Sequence, residues 1–171
     1  MEKQEIYDKY PIRIPILSLS LTISIYSIGT YILAGFGILW AIIYVIYCLL
    51  IEIWILKGSC VNCYYYKKTC GLGRGKLCAK LFKKGDPRKF IEAEISWKII
   101  LPDFLTLIVP GIGASILLIF NFNLLLLIML IILILLFFFG NAMIRGKLTC
   151  NHCRQRELGC PAAKLFMNKE E

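Results

Sequence analysis

Apolar residues fall into four blocks along this chain, at 14–34, 36–56, 102–120 and 124–144, and the stretches between and after them are polar and rich in lysine. A helix rising 1.5 Å per residue needs roughly 20 mainly apolar residues to cross a hydrocarbon core about 30 Å thick. Each block predicts a transmembrane helix. Blocks one and two are joined through Ala34-Gly35-Phe36-Gly37, and blocks three and four through Asn121-Phe122-Asn123, so each pair predicts a tight helical hairpin. The first block is not read as a removable signal: residues 1–13 balance three acids against three bases, and the apolar run exceeds a signal h-region.

The polar stretches carry a repeat. Cys60, Cys63 and Cys70 recur ninety residues on as Cys150, Cys153 and Cys160, and Lys57 recurs as Lys147. Ala79-Lys80-Leu81-Phe82 returns as Ala163-Lys164-Leu165-Phe166 at an offset of 163 − 79 = 84, so the first copy holds six extra residues, within Gly71–Cys78. Self-similarity at a fixed offset predicts duplicated architecture. The expected fold is an all-α integral membrane protein of two tandem hairpins, each followed by a cysteine-rich module. Repeat 1 covers residues 1–98, with its module at 57–82 and a basic surface segment at 83–98; repeat 2 covers 99–171, with its module at 145–166.

Composition agrees with a membrane class, since 58% of the 171 residues are hydrophobic and mean hydropathy is +0.71. Charge adds an orientation. The loop 57–98 holds eleven Lys or Arg against three acids, and the tail 145–171 six against three, while the hairpin tips carry none. Basic short loops stay in the cytoplasm. The expected placement is therefore the plasma membrane of a prokaryote, suggested by the abundance of Ile and Lys, with both termini and both modules cytoplasmic. The same basic loop is expected to attract anionic headgroups of the bilayer, or a cytoplasmic protein partner. A nucleic-acid role is disfavoured beside membrane spans.

Cytoplasmic thiols are normally reduced, and C-x-x-C pairs there read as metal sites or redox motifs before structural disulfides. The expected ligands are Cys60, Cys63, Cys70, Cys150, Cys153 and Cys160, with Cys78 a further candidate that has no counterpart in the second copy. Three groupings fit: one tetrahedral zinc across the two C-x-x-C pairs, one centre per module, or a shared six-thiol centre. A repeated third cysteine favours an iron–sulfur cluster over zinc, and Cys160-Pro161 matches, over two residues, the Cys-Pro closing bacterial cluster runs. His152 lies between two thiols and aligns with Asn62, so it reads as a surface polar residue. Thiol redox is the remaining reading of the pairs.

Glu52 and Asp103 are the acids inside the spans, each five residues from a boundary lysine, and such acids are functional candidates. For Asp103 the plainer reading is a first-turn acid after Pro102. Gly71-Leu-Gly-Arg-Gly-Lys76 lacks the P-loop order and is read as a flexible insertion opening no convincing helix. Tyr64-Tyr65-Tyr66 is assigned to an interfacial belt or to packing over the module, and Cys48 to apolar packing. Asp86-Pro87 predicts a helix start, Pro102 the end of that segment, with Phe90 and Trp97 on one face; Pro110 is expected to disturb the third span. No hydrolase motif, acid–base constellation or nucleotide fold is present. The leading expectation is electron transfer or cluster presentation, followed by a zinc-clipped docking module and then a cation transporter using Glu52 and Asp103.

Overall fold

The computed structural model describes residues 6–93 and 97–161, and they are helical wherever the structure is regular. The long helices are α1 (Arg13–Ala34), α2 (Ile38–Gly58) and α5 (Trp97–Phe120), with α6 (Leu124–Leu135) running on into a wider π-helix, Leu136–Thr149. Short helices α3 (Arg74–Leu81), α4 (Pro87–Ile91) and α7 (Arg154–Glu157) lie in the polar stretches. By length and composition four helical stretches can cross a membrane: Arg13–Ala34, Ile38–Asn62, Ile100–Phe120 and Leu124–His152. Their outward residues, such as Ile38, Leu39, Ile119 and Phe120, are exposed and apolar. The protein is a multi-span helical membrane protein.

Two expectations about prolines change. Asp86 does cap α4, its carboxylate accepting the Arg88 N–H at 2.9 Å, but α4 stops at Ile91 and Trp97 opens α5. Among the described residues Phe90 and Trp97 therefore belong to different helices. Pro102 sits inside α5 rather than before it, because apolar residues at 97, 99 and 100 extend the helix backwards past Lys98. The second Ala-Lys-Leu-Phe copy, at 163–166, lies outside the described residues.

The chain forms two compact units. One comprises Ser20–Glu52 and Trp97–Asn141. Its interior holds Leu21, Ile25, Ile32, Leu33, Ala41, Ala114, Leu126 and Leu133. Cys48 packs there with Leu33 and Tyr44. The Thr106 carbonyl of α5 would ordinarily accept the N–H four residues on, but that residue is Pro110, which has none. The buried Tyr44 hydroxyl donates to it instead, at 2.7 Å. Gly29 makes this feasible: a Cβ there would lie 2.5 Å from the Tyr44 hydroxyl oxygen. Tyr47 donates likewise to the Pro102 carbonyl at 2.9 Å. Within a membrane a replacement donor such as Tyr44 is what makes a helix proline tolerable.

The other unit comprises Met1–Leu19, Ile53–Ser96 and Ala142–Glu171 and contains the cysteine modules. Its apolar centre is Leu56, Val61 and Cys78, flanked by Cys60, Tyr66 and Phe82.

Candidate functional site

Both C-x-x-C pairs adopt the same local structure. Each follows the end of a long apolar helix and a hydroxyl residue, Ser59 or Thr149, and each opens in a 3₁₀ turn, Cys60–Asn62 or Cys150–His152. The Cys63 N–H returns to the Cys60 carbonyl at 3.4 Å, and the Cys153 N–H to the Cys150 carbonyl at 3.3 Å. A second reversal follows at the same register, Tyr66 N–H to Cys63 carbonyl at 3.1 Å and Arg156 N–H to Cys153 carbonyl at 3.0 Å.

The two turns bond to one another reciprocally. The Tyr64 N–H donates to the Gln155 side-chain carbonyl at 2.8 Å, and the Arg154 N–H donates to the Tyr65 hydroxyl oxygen at 3.0 Å. At the ninety-residue offset, Tyr64 corresponds to Arg154 and Tyr65 to Gln155. Each copy thus gives a main-chain donor from the first position after its cysteine and takes a side-chain acceptor from the second position of the other. Gln155 and Tyr65 are both buried.

An N-terminal segment that sequence reasoning passed over ties the turns further. Tyr7 pairs its backbone with Cys153, its N–H reaching the His152 carbonyl at 3.1 Å, and its carbonyl accepts the Tyr65 hydroxyl. Tyr10 donates from its N–H to the Thr69 carbonyl at 3.1 Å and from its hydroxyl to the Thr149 carbonyl at 2.6 Å. Between them, Asp8 accepts from the Tyr64 hydroxyl and from Arg154, both at 2.8 Å. The Tyr64 hydroxyl, with help from the Arg154 guanidinium, holds the Asp8 carboxyl below its usual range. The signal available in sequence was the spacing of Tyr7 and Tyr10 and the aligned pair Tyr65 and Gln155. The Tyr64–Tyr66 run packs over the module, Lys68 reaching 3.9 Å from the Tyr64 ring centre.

The glycine-rich stretch is not an insertion without structure. It opens α3, with Gly73 at φ 76° before the first turn. A Cβ on Gly75 would meet the Tyr65 carbonyl and, at 2.5 Å, the Lys68 carbonyl, so only glycine lets α3 lie against the 65–68 backbone.

The metal-centre expectation is overturned. Among the described residues no group of three or more His, Cys, Asp or Glu side chains is gathered where it could hold a metal ion. Two of the thiols are committed otherwise. Cys78 is 0% exposed in the apolar centre, its thiol facing the Leu56 carbonyl at 3.6 Å. The Cys70 sulfur accepts the Gly75 N–H at 3.1 Å. Tyr65 and Gln155, rather than a shared ion, join the two turns. Iron–sulfur and zinc cofactors, cluster-based electron transfer, the zinc clip and metal capture for transport all fall with this arrangement. All eight cysteines are free thiols. Burial pushes the Cys63 thiol up to about 12, and burial likewise raises Cys153 and Cys78.

Of the intramembrane acids, Glu52 accepts the Tyr26 hydroxyl at 3.0 Å, and the Asp103 carbonyl accepts the Thr106 hydroxyl at 2.6 Å. His152 stacks obliquely on Tyr7, ring centres 5.1 Å apart. Comparison of the chain with protein-family models, curated proteins and solved structures gives no match.

Proposed function

We propose that this protein is a membrane module of a prokaryotic plasma membrane, with both termini cytoplasmic, whose cysteine-rich unit holds anionic lipid headgroups through a basic, partly apolar surface. The observation that carries this reading is the outer face of α3. Arg74, Gly75 and Cys78 are buried, while Lys76 and Lys80 are exposed beside Leu77 and Leu81, which are 50% and 58% exposed. A short helix showing lysine and leucine together on its free face suits the boundary between headgroups and acyl chains, where the leucines enter the apolar side and the ammonium groups stay at the phosphates. The exposed Lys83, Lys84, Arg88 and Lys89 continue the charge along the chain. Each basic residue near an anionic leaflet is worth about 1 kcal/mol.

We also read the two cysteine modules as a duplicated pair related by a local twofold, each closing a helical hairpin. The matched 3₁₀ turns and the reciprocal exchange of hydrogen bonds between residues 64–65 and 154–155 support it.

The test is lipid selectivity in reconstituted bilayers. Spin-labelled phosphatidylglycerol should be immobilised by the protein several-fold more strongly than spin-labelled phosphatidylcholine at low salt, with the preference shrinking as salt rises. Replacing Lys76, Lys80, Lys83 and Lys84 with Gln should remove most of that preference. A preference unchanged in this variant would assign it to other basic residues and sink the reading.

A further inference from the structure

We propose that the two C-x-x-C turns, Cys60–Cys63 and Cys150–Cys153, are dithiol sites that exchange electrons with an accessible disulfide, each closing its own intra-turn disulfide. This goes beyond the headgroup reading and does not depend on it.

The geometry is that of the turn. In a 3₁₀ helix of three residues per turn, side chains at i and i+3 lie one above the other. Cys60 and Cys63, like Cys150 and Cys153, occupy those positions around a single i to i+3 hydrogen bond. Such a turn brings the two Cα atoms within about 7 Å, against the 4.4–6.8 Å that disulfides usually span. The other cysteines differ: Cys78 is sealed in the apolar centre, and Cys70 takes the Gly75 N–H on its sulfur. Cys150 is exposed, and Cys60, Cys63 and Cys153 are each partly so, which gives an incoming disulfide a point of entry.

The step balances as two exchanges. One turn cysteine, as thiolate, attacks a sulfur of a low-molecular-weight disulfide such as oxidised glutathione, breaking its S–S bond, forming a mixed disulfide and releasing one glutathione thiol. The second turn cysteine then attacks the protein-side sulfur of the mixed disulfide and expels the second. The dithiol loses two electrons and two protons, and both appear on the two released thiols; the reverse reaction reduces the incoming disulfide. Thiols held protonated by burial give the reduced form no thiolate stabilisation, unlike low-pKa dithiols whose reduced form is favoured. That tilts the equilibrium toward the intra-turn disulfide.

The test uses the full chain in detergent, equilibrated without oxygen in buffers of reduced and oxidised glutathione, quenched with acid, unfolded, alkylated, digested and read by mass spectrometry. The expected result is loss of both alkylation sites in the 60–63 turn and in the 150–153 turn, while Cys70, Cys78 and Cys160 stay alkylatable. The same chain in denaturant should lose that selectivity, because the turn is what pairs the thiols. Turn cysteines still alkylatable in oxidised glutathione alone would overturn the proposal. So would disulfides joining the two turns, or the same pairing in the folded and the denatured chain. Cys150→Ser should abolish closure of the second turn and leave the first unchanged, which separates two independent sites from one shared site.

Discussion

At the scale of single residues, the protein is governed by where backbone carbonyls lose their usual partner and where burial withholds a proton. Tyr44 replaces the N–H that Pro110 cannot offer to Thr106, so Tyr44→Phe leaves a buried carbonyl unpaired, at a cost of about 1–3 kcal/mol. Tyr47→Phe should cost less, because the Pro102 carbonyl keeps its place in the helix ladder and Tyr47 is only partly buried. Thermal unfolding in detergent checks this, and equal losses would defeat the argument. The sharper check is a double-mutant cycle: with Pro110→Ala the Thr106 carbonyl regains an N–H, and the penalty of Tyr44→Phe should shrink. Cys63 and Tyr65 set a pH dependence. Burial raises Cys63 from 9.0 and Tyr65 from 10.0, each to about 12. Above pH 9 the unfolded chain releases protons that the folded chain keeps, so stability is whole below that pH and falls as pH rises toward 12. Unfolding midpoints measured from pH 8 to 11 should fall, with a shallower slope in Cys63→Ser. A flat profile in the wild-type chain would show that these groups are not withheld from solvent.

At the scale of elements, α3 depends on a glycine that carries no motif. In Gly75→Ala the new methyl would press on two main-chain carbonyls, which cannot rotate away as a side-chain end could, so α3 must lift off the 65–68 backbone. A loss of about 1–3 kcal/mol is expected, of the order seen for overpacked sites. Gly58→Ala is the contrasting case: a Cβ there meets nothing within 4 Å, and alanine in a helix should be neutral or gain up to about 1 kcal/mol. Protease cleavage within residues 83–93 reports both, faster in the first variant and unchanged in the second. The same contrast explains what was legible in the sequence. The spans were readable to within a few residues at most ends, 14–34 against Arg13–Ala34 and 36–56 against Ile38–Gly58, because crossing a bilayer needs only length and apolarity. The start of α5 was not, since Lys98 and Pro102 resemble a boundary, whereas both lie inside Trp97–Phe120. The cysteine turns were visible as spacing, but their ligation was misread. Spacing says that two thiols share a turn; it does not say that a tyrosine and a glutamine fill the junction between two turns.

At the scale of the whole molecule, the reciprocal bonds and the chain topology constrain one another. Two spans, an even number, separate the chain segments following α2 and the π-helix, so both lie on one side of the membrane, as the exchange between residues 64–65 and 154–155 requires. Breaking one arm with Gln155→Leu strands the Tyr64 N–H and should cost about 1–3 kcal/mol; a null effect would mean that water satisfies that donor and that this bond between the turns contributes nothing to stability. The side on which the modules lie then decides their chemistry. Positive charge concentrated in the 57–98 and 145–171 segments predicts the cytoplasm, where thiols are kept reduced. An impermeant maleimide is the measurement. In intact cells it should leave the exposed Cys150 unlabelled and should label a cysteine placed at the hairpin tip by Phe122→Cys; inverted vesicles should reverse the pattern. Cys150 labelled from outside would put both turns in an oxidising compartment. That labelling would also show the second turn open in spite of oxidising surroundings, against its closure as a disulfide, and the lysine-rich face of α3 would meet the outer leaflet.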